Sequence, residues 1–332
     1  MPAVDLANDD SWRIRTFSST GEKSLMPIPG KSPPVLVLAF NRPDTARRVF
    51  EVLRVVRPER VYFAVDGARA GKPEEPERVA QVQSLVDVID WKCEVKTLFR
   101  STNLGCKIAV SEAISWFFDQ EEVGIVLEDD CLAHPSFIAF AGELLERYRD
   151  DERVMLISGN NFQFGRRRTS DSYYFSRYNH IWGWASWRRS WRLYDHGMKA
   201  WPAVRDGKWL DDILDDSRAA AYWAQIFDTT FHERNTSWAY RWTFSCWIND
   251  GLSILPTINL VSNIGFGSDA THTLRTESSI ANLPLAEMPF PLRHPEFMIR
   301  DSVADLRTER TLFSGYPSIR EKVGNVRRFL GL

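Results

Sequence analysis

Apolar positions along the first half of the chain follow two alternating rhythms. Val35-Leu36-Val37-Leu38-Ala39-Phe40 is an unbroken apolar run, and a run of that length without polar alternation reads as a strand covered on both faces. Residues 44–56 then place Val49, Leu53 and Val56 on one side of a helix. The pair recurs: strands are predicted at 61–65, 95–99 and 124–127, with helices at 77–89 and 104–118 between them. Strands repeating about every thirty residues around helices imply right-handed crossovers and an α/β fold, Rossmann-like, with a mostly parallel central sheet and helices on both faces. A helix at 135–149 and a strand at 154–158 continue the pattern. Beyond them the rhythm is lost and tryptophan becomes dense, at Trp182, Trp184, Trp187, Trp191, Trp201, Trp209, Trp223, Trp238, Trp242 and Trp247. Such rings serve equally well as core or as walls of a sugar-binding groove.

The segments divide the chain into an irregular arm at 1–32, rich in Ser, Thr, Pro and charge, an α/β domain at 33–275, and an extension at 276–332 read as a tail ending in short helices. Within the domain the regular half is 33–130 and the Trp-rich half 131–275. The formal net charge of -2 on 332 residues provides no global positive field for nucleic acid. Cys93, Cys106, Cys131 and Cys246 are irregularly spaced, which argues against a zinc site and a disulfide framework. With no apolar signal region at the start and no run near the roughly 18 residues that span a bilayer, a cytoplasmic protein is expected.

Candidate chemistry collects where strands end. Glu128-Asp129-Asp130 follows the strand at 124–127. Three carboxylates there repel one another and lose solvation, a cost that a divalent cation removes. Mg2+ or Mn2+ held by one or two carboxylates and by phosphate oxygens fits that requirement; a solvated acidic turn or a helix cap ahead of His134 is the alternative. Asp66 ends the second strand before Gly67, either as an acceptor for a base or ribose or as an Asx-turn residue. Asn41 and Arg42 follow the first strand, and Arg100, Asn103 and Lys107 the third; the cations among them could meet a diphosphate at helix N-termini. A Gly-rich loop, 262–273, carries His272, which could swing over a ligand.

Together the segment from Phe40 to Pro43, the Asp66 turn, Asn103-Leu104-Gly105, Glu128-Asp129-Asp130 as a form of the DxD motif, Ile181-Trp182-Gly183-Trp184 and the loop from Gly265 to His272 resemble GT-A glycosyltransferases, and more narrowly bacterial relatives of N-acetylglucosaminyltransferase I. The likeness runs from about residue 33 to 272. It implies an inverting transferase that moves a sugar from a nucleotide-diphosphate donor to a glycan or lipid-linked glycan acceptor in polysaccharide or glycoconjugate assembly, with Mn2+ or Mg2+ as cofactor. Asp130 would bind the metal, with His272 as an extra ligand. Asp66 would read the base, and Phe40, Asn41, Arg42, Arg100, Asn103, Lys107, Glu128 and Asp129 would lie on the donor side. Trp182, Trp184 and Trp238 would shape the acceptor site.

One departure stands out. Relatives tend to carry an Asp, the catalytic base, directly after the Trp of the stretch written here Ser237-Trp238-Ala239-Tyr240-Arg241-Trp242, and this chain has Ala239. Slow transfer follows as an expectation, with Trp238, Tyr240 and Trp242 framing a space for a carboxylate, and with Asp228, Glu233 and Asp250 as substitutes nearest in sequence. A catalytically silent nucleotide-sugar or carbohydrate-binding protein is therefore an alternative. A nucleotidyltransferase is another, although such enzymes usually show a Gly-rich phosphate loop after the first strand, where Asn41-Arg42-Pro43 stands. At the C-terminus, residues 319–332 set Arg320, Lys322, Arg327 and Arg328 beside Val323, Val326, Phe329 and Leu330. A helix there would touch anionic membrane, pack on its own domain, or join two subunits of a homodimer.

Overall fold

A computed structural model of the chain describes residues 32–266 and 280–313; the arm before them, His272 and the 319–332 segment lie outside. The first half alternates β1 (Val35–Ala39), α1 (Pro43–Val56), β2 (Arg60–Val65), α2 (Glu75–Gln83), β3 (Glu94–Phe99), α3 (Gly105–Gln120) and β4 (Val123–Glu128). Then come β5 (Cys131–Ala133), α4 (Pro135–Arg147), β6 (Val154–Ser158), β7 (Tyr173–Ser176) and β8 (Trp184–Trp187). The rest holds α5 (Arg188–Trp191), α6 (Trp201–Asp206), α7 (Leu210–Leu214), α8 (Ser217–Phe231), α9 (Trp238–Ile248), β9 (Leu252–Pro256), β10 (Val261–Asn263) and α10 (Ser302–Thr308). Local chemistry sets the boundaries. Pro43 opens α1, where its missing N–H costs nothing, and Arg57 in the left-handed region closes it ahead of Pro58. The helix expected at 77–89 is α2 followed by a tighter 3-10 turn at Ser84–Val88.

Eight strands form one sheet in the order β3-β2-β1-β4-β8-β6-β9-β7. Strands β1 to β4 are parallel where they pair, β8 runs against both β4 and β6, β9 runs with β6, and β7 runs against β9. Within this sheet all strands but β7 and β8 therefore point the same way, and β5 and β10 form a separate antiparallel pair. This is the α/β, Rossmann-like, mostly parallel sheet that the alternating pattern predicts.

Side chains leave each strand alternately to the two faces. Val35 and Val37 of β1 join Phe63, Val65, Ile125 and Leu127 against α1 and α4. Leu36 and Leu38 go the other way, joining Tyr62, Ala64 and Val126 against α3 and the tryptophans of the second half. Those tryptophans are mostly core: Trp184, Trp187, Trp201, Trp223, Trp238 and Trp242 are almost wholly buried, whereas Trp209 is 58% exposed. Residues 280–313 run from beside β10, where Asn282 N donates to Asn263 O, to the β7 end of the sheet, where Asp301 N donates to Phe175 O. Met288 and Leu292 enter the first core, and Arg300 bridges to Phe175 of β7. The buried Glu309 accepts a hydrogen bond from Trp223 Nε1 at 3.0 Å. Among the described residues no helix is long and apolar enough to cross a membrane.

Candidate active site

Chain order runs outward from β1 to β2 and β3, and then returns to place β4 on the other side of β1. Connections on the two sides of β1 leave in opposite directions, so a crevice opens beyond the carboxyl ends of β1 and β4, where open α/β sheets bind ligands. A cavity of about 330 Å³ lies there. Phe40 and Arg42 reach it from the end of β1, Asp66 and Arg69 from β2, Arg100 and Asn103 from β3 and the turn after it, and Glu128, Asp129 and Asp130 from β4. Ile181, Trp182, Ser237, Trp238, Ala239 and Asn263 also line it.

The acidic run is held by a guanidinium. Arg42 Nη2 donates to Asp129 Oδ1, and Arg42 Nη1 lies 2.9 Å from Asp130 Oδ2. The Phe40 N–H donates to Asp129 Oδ2 at 3.1 Å. The Glu128 carboxylate makes no hydrogen bond or ion pair among the described residues, although its backbone pairs with Leu38 of β1. Burial pushes the Glu128 carboxyl up from the usual range, reinforced by Asp130 and Asp129 and opposed by Arg42. Burial also raises Asp129, with Arg42 again opposing. Burial lowers the Arg42 guanidinium, but Asp129, Asp130 and Glu128 more than reverse that and leave it raised. Arg42, expected on the donor phosphates, is thus already committed to two carboxylates.

Asp66 faces the cavity with its own oxygens engaged. They accept from Gly67 N at 2.9 Å, Asn103 Nδ2 at 3.0 Å, Leu104 N at 3.0 Å and Gly105 N at 3.0 Å. A carboxylate at the amino end of α3 satisfies donors that the helix cannot, so the turn reading of Asp66 has its full set of partners. The place where a phosphate would meet this helix is filled by the same carboxylate. Lys107 pairs with Glu233 instead of lining the cavity. Asn41 donates to Glu75 Oε1 at 3.3 Å, also off the cavity, and Arg100 lines it while paired with Glu112 at 3.1 Å.

In the Trp-rich half the structure corrects three sequence expectations. Trp184 does not line the cavity: it sits in β8 inside the sheet, stacked behind Trp238 with ring centroids 6.0 Å apart. Tyr240 and Trp242 do not frame the space beside Ala239. Tyr240 packs edge-on against Trp223 and Trp242 is fully buried; only Trp238 and Ala239 of that helix turn reach the cavity. None of Asp228, Glu233 and Asp250 lines it either. Asp228 meets Arg205 at the surface, Glu233 pairs with Lys107 and Arg241, and Asp250 follows the end of α9 in a left-handed turn.

Some lining residues escaped the sequence reading. Arg69 pairs with Glu75 at the rim, and its place in the Asp66 turn was the available signal. The Cys106 thiol, pushed up to about 12 by burial and then by Glu128 and Asp66, also lines the cavity. Asn263 pairs β10 with β5 and accepts from Gly265 N at 2.9 Å, which brings Gly265 against the acidic run. A Cβ on Gly265 would overlap the Asp130 carboxylate, 2.7 Å from Asp130 Cβ and 2.6 Å from Arg42 Nη1. Gly265→Ala is therefore expected to destabilise the fold by about 1–3 kcal/mol and to weaken binding in this cavity. Denaturant titration and ligand calorimetry on one preparation check both, and unchanged values would show that the loop yields freely.

Glu128 and Asp130 suit a hard cation that shares its shell with ligand oxygens. They do not make a closed cage: among the described residues no group of three His, Cys, Asp or Glu side chains converges on a metal position.

No family model and no curated protein matches the chain. Solved structures show a partial likeness. The mannosyltransferase PcManGT from Pyrobaculum calidifontis in complex with GDP-Man and Mn2+ is 14% identical over 49% of this chain and 46% of that one, with a TM-score of 0.33. HddC from Yersinia pseudotuberculosis is 12% identical over 47% and 77%, TM-score 0.29. A 4-diphosphocytidyl-2C-methyl-D-erythritol synthase from Anaerococcus prevotii DSM 20548 is 5% identical over 49% and 74%, TM-score 0.30. This chain thus spans less than half the length of the mannosyltransferase, and the reading of the site rests on its own geometry.

Proposed function

We propose that the chain is a glycosyltransferase that moves a sugar from a nucleotide-diphosphate donor to a hydroxyl of a glycan or lipid-linked glycan, with inversion at the anomeric carbon. The observation that supports it most is the cavity where the chain reverses around β1, which brings Glu128 and Asp130 together with the partly buried ring of Trp182. Aromatic faces suit a sugar ring, and a carboxylate pair beside a strand end suits a diphosphate bridged by a cation. A bound Mn2+ or Mg2+ would neutralise charge on the departing nucleotide diphosphate.

The chain's own groups account for the rest. Arg42 sets the spacing of Asp129 and Asp130 by bridging them. Asp66 fixes the start of α3 and so the Asn103 edge of the donor wall. Trp182 is held edge-on between Phe162 and Phe266, at 5.4 and 5.6 Å between centroids, which fixes the angle of the ring it offers.

Nucleotide-diphosphate sugars are expected to bind only with Mn2+ or Mg2+, and Asp130→Asn is expected to weaken that binding roughly 10- to 100-fold, the effect of losing one charged interaction of about 1.5–3 kcal/mol. Calorimetry in metal and in chelator checks this; equal affinities would reject the cation-bridged diphosphate.

A second reading has its own support: the wall at Ala239 carries no proton acceptor, and Asp228, Glu233 and Asp250 lie elsewhere, as befits a binder without turnover. Donor hydrolysis separates the cases. Slow release of nucleotide diphosphate indicates a transferase site, release of pyrophosphate indicates nucleotidyl transfer, and binding without release indicates a silent binder.

A further inference from the structure

A second cavity, of about 280 Å³, lies at the same sheet edge but at its other end. Strand β9 points the same way as β1 and β4, and its carboxyl end pairs with the amino end of β7, Pro256 opposite Tyr173. Thr257 and Tyr174, the neighbours of that pair, line the cavity. So do Arg166, Arg167, Arg168 and Arg307, against the single carboxylate Asp301.

That carboxylate is already used. Asp301 Oδ1 accepts from Val303 N at 3.1 Å, from Ala304 N at 3.0 Å and from Arg168 Nη1 at 3.3 Å. Arg307 donates to Gln163 Oε1 at 2.7 Å, and Gln163 Nε2 donates to Ala304 O and Thr308 Oγ1. Arg166 and Arg167 make no side-chain hydrogen bond or ion pair among the described residues. Three consecutive arginines in a loop ordinarily mean a solvated surface. Here an independent feature points to a ligand: Tyr174 is 8% exposed, lines the cavity, and its hydroxyl is covered without a hydrogen-bond partner. Burial, then Asp305 and Asp301, push this phenol up, while the Gln163 side chain beside it, which makes no well-formed hydrogen bond to it, and Arg307 act the other way; the hydroxyl therefore stays protonated and able to donate.

We propose that this cavity binds the acidic group of a sugar, a phosphate or a carboxylate, through Arg166, Arg167 and the Tyr174 hydroxyl. Guanidinium forks match both oxyanions, and the volume suits one sugar unit. The two cavities are joined by an aromatic partition, because Trp182, on the wall of the first, packs edge-on against Phe162, which lies between Asn161 and Gln163 on the wall of the second. An extended acceptor crossing that partition would place its attacked hydroxyl in the first cavity and its acidic unit in the second. This assignment to the acceptor rests on the transferase reading; the anion site does not.

Calorimetry on the full chain with glucose 1-phosphate, glucuronate and neutral glucose tests it. At least one acidic sugar is expected to bind and glucose is not, and which acidic sugar binds better identifies the group. The double variant Arg166→Gln/Arg167→Gln is expected to weaken binding tenfold or more. Tyr174→Phe, which keeps the ring, is expected to weaken it several-fold, and both variants should leave nucleotide-diphosphate affinity unchanged. Absence of binding by both acidic sugars, or binding that both variants leave intact, would overturn the proposal. Acidic-sugar binding that depends on Arg166 and Arg167 in a chain that binds no nucleotide sugar would keep the anion site and remove the transferase reading.

Discussion

Arg42→Ala is expected to lower the free energy of unfolding by about 3–5 kcal/mol, the usual cost of removing one partner from a buried ion pair. The Arg42 side chain is 19% exposed and its partner Asp129 only 3%, so water cannot replace the guanidinium at Asp129. The Phe40 N–H would remain as a single neutral donor. The loss should depend on pH in a definite direction. Burial raises the carboxyl groups of Glu128 and Asp129 above the ordinary range even with Arg42 present. A carboxyl with a raised folded pKa binds its proton more tightly in the native state, so the native state gains stability as pH falls through that pKa and loses it as pH rises. Without Arg42 both groups should rise further. The deficit of the variant should therefore be largest near pH 8 and shrink toward pH 5. Denaturant titrations of both proteins at the two pH values measure it, and adding Asp129→Asn to the variant should recover part of the loss. A deficit under about 1 kcal/mol, or one equal at both pH values, would show that the three carboxylates do not depend on Arg42.

This arrangement marks where sequence reading stops. The unbroken apolar run of β1 and the one-sided helix of α1 are local patterns, and each appears within a residue or two of its expected place. That polar groups gather at one edge also follows, since parallel strands joined by helices bring their carboxyl ends together. The Arg42–Asp129 contact joins residues 87 apart in sequence, and it exists only because β4 lies beside β1, a pairing that chain order does not dictate. The second half was less legible for a related reason. Strand β8 enters between β4 and β6 against their direction, and its sequence of two tryptophans, Ala and Ser has no period that separates a strand from a helix. Trp182 and Trp184 share a face only in an extended chain. Gly183 takes φ +64° between them, so Trp182 turns to the cavity while Trp184 goes to the core.

The largest kinetic effect is expected from Ala239→Asp. Ala239 is half-buried in the first turn of α9, its N–H held by Ser237 Oγ at 3.2 Å, and it lines the cavity beside Trp238. A carboxylate there would lie at the amino end of the helix, where backbone dipoles favour negative charge by about 0.3–1 kcal/mol, so the substitution should not harm the fold. It would also add a proton acceptor to the stretch Ser237, Trp238 and Ala239 of the cavity lining, which carries no carboxylate. General-base assistance contributes on the order of 10² to 10⁴ in rate, and it acts on the attacking hydroxyl, not on the donor. Hence transfer should accelerate by that factor while donor affinity stays nearly constant, the pattern of an interaction made only in the transition state. Rates of both proteins on one acceptor, with donor binding measured in parallel, decide the matter. Were the two equally fast, Ala239 would not mark a missing base, and the proton would have to leave toward Glu128, the carboxylate of the cavity that no described partner holds.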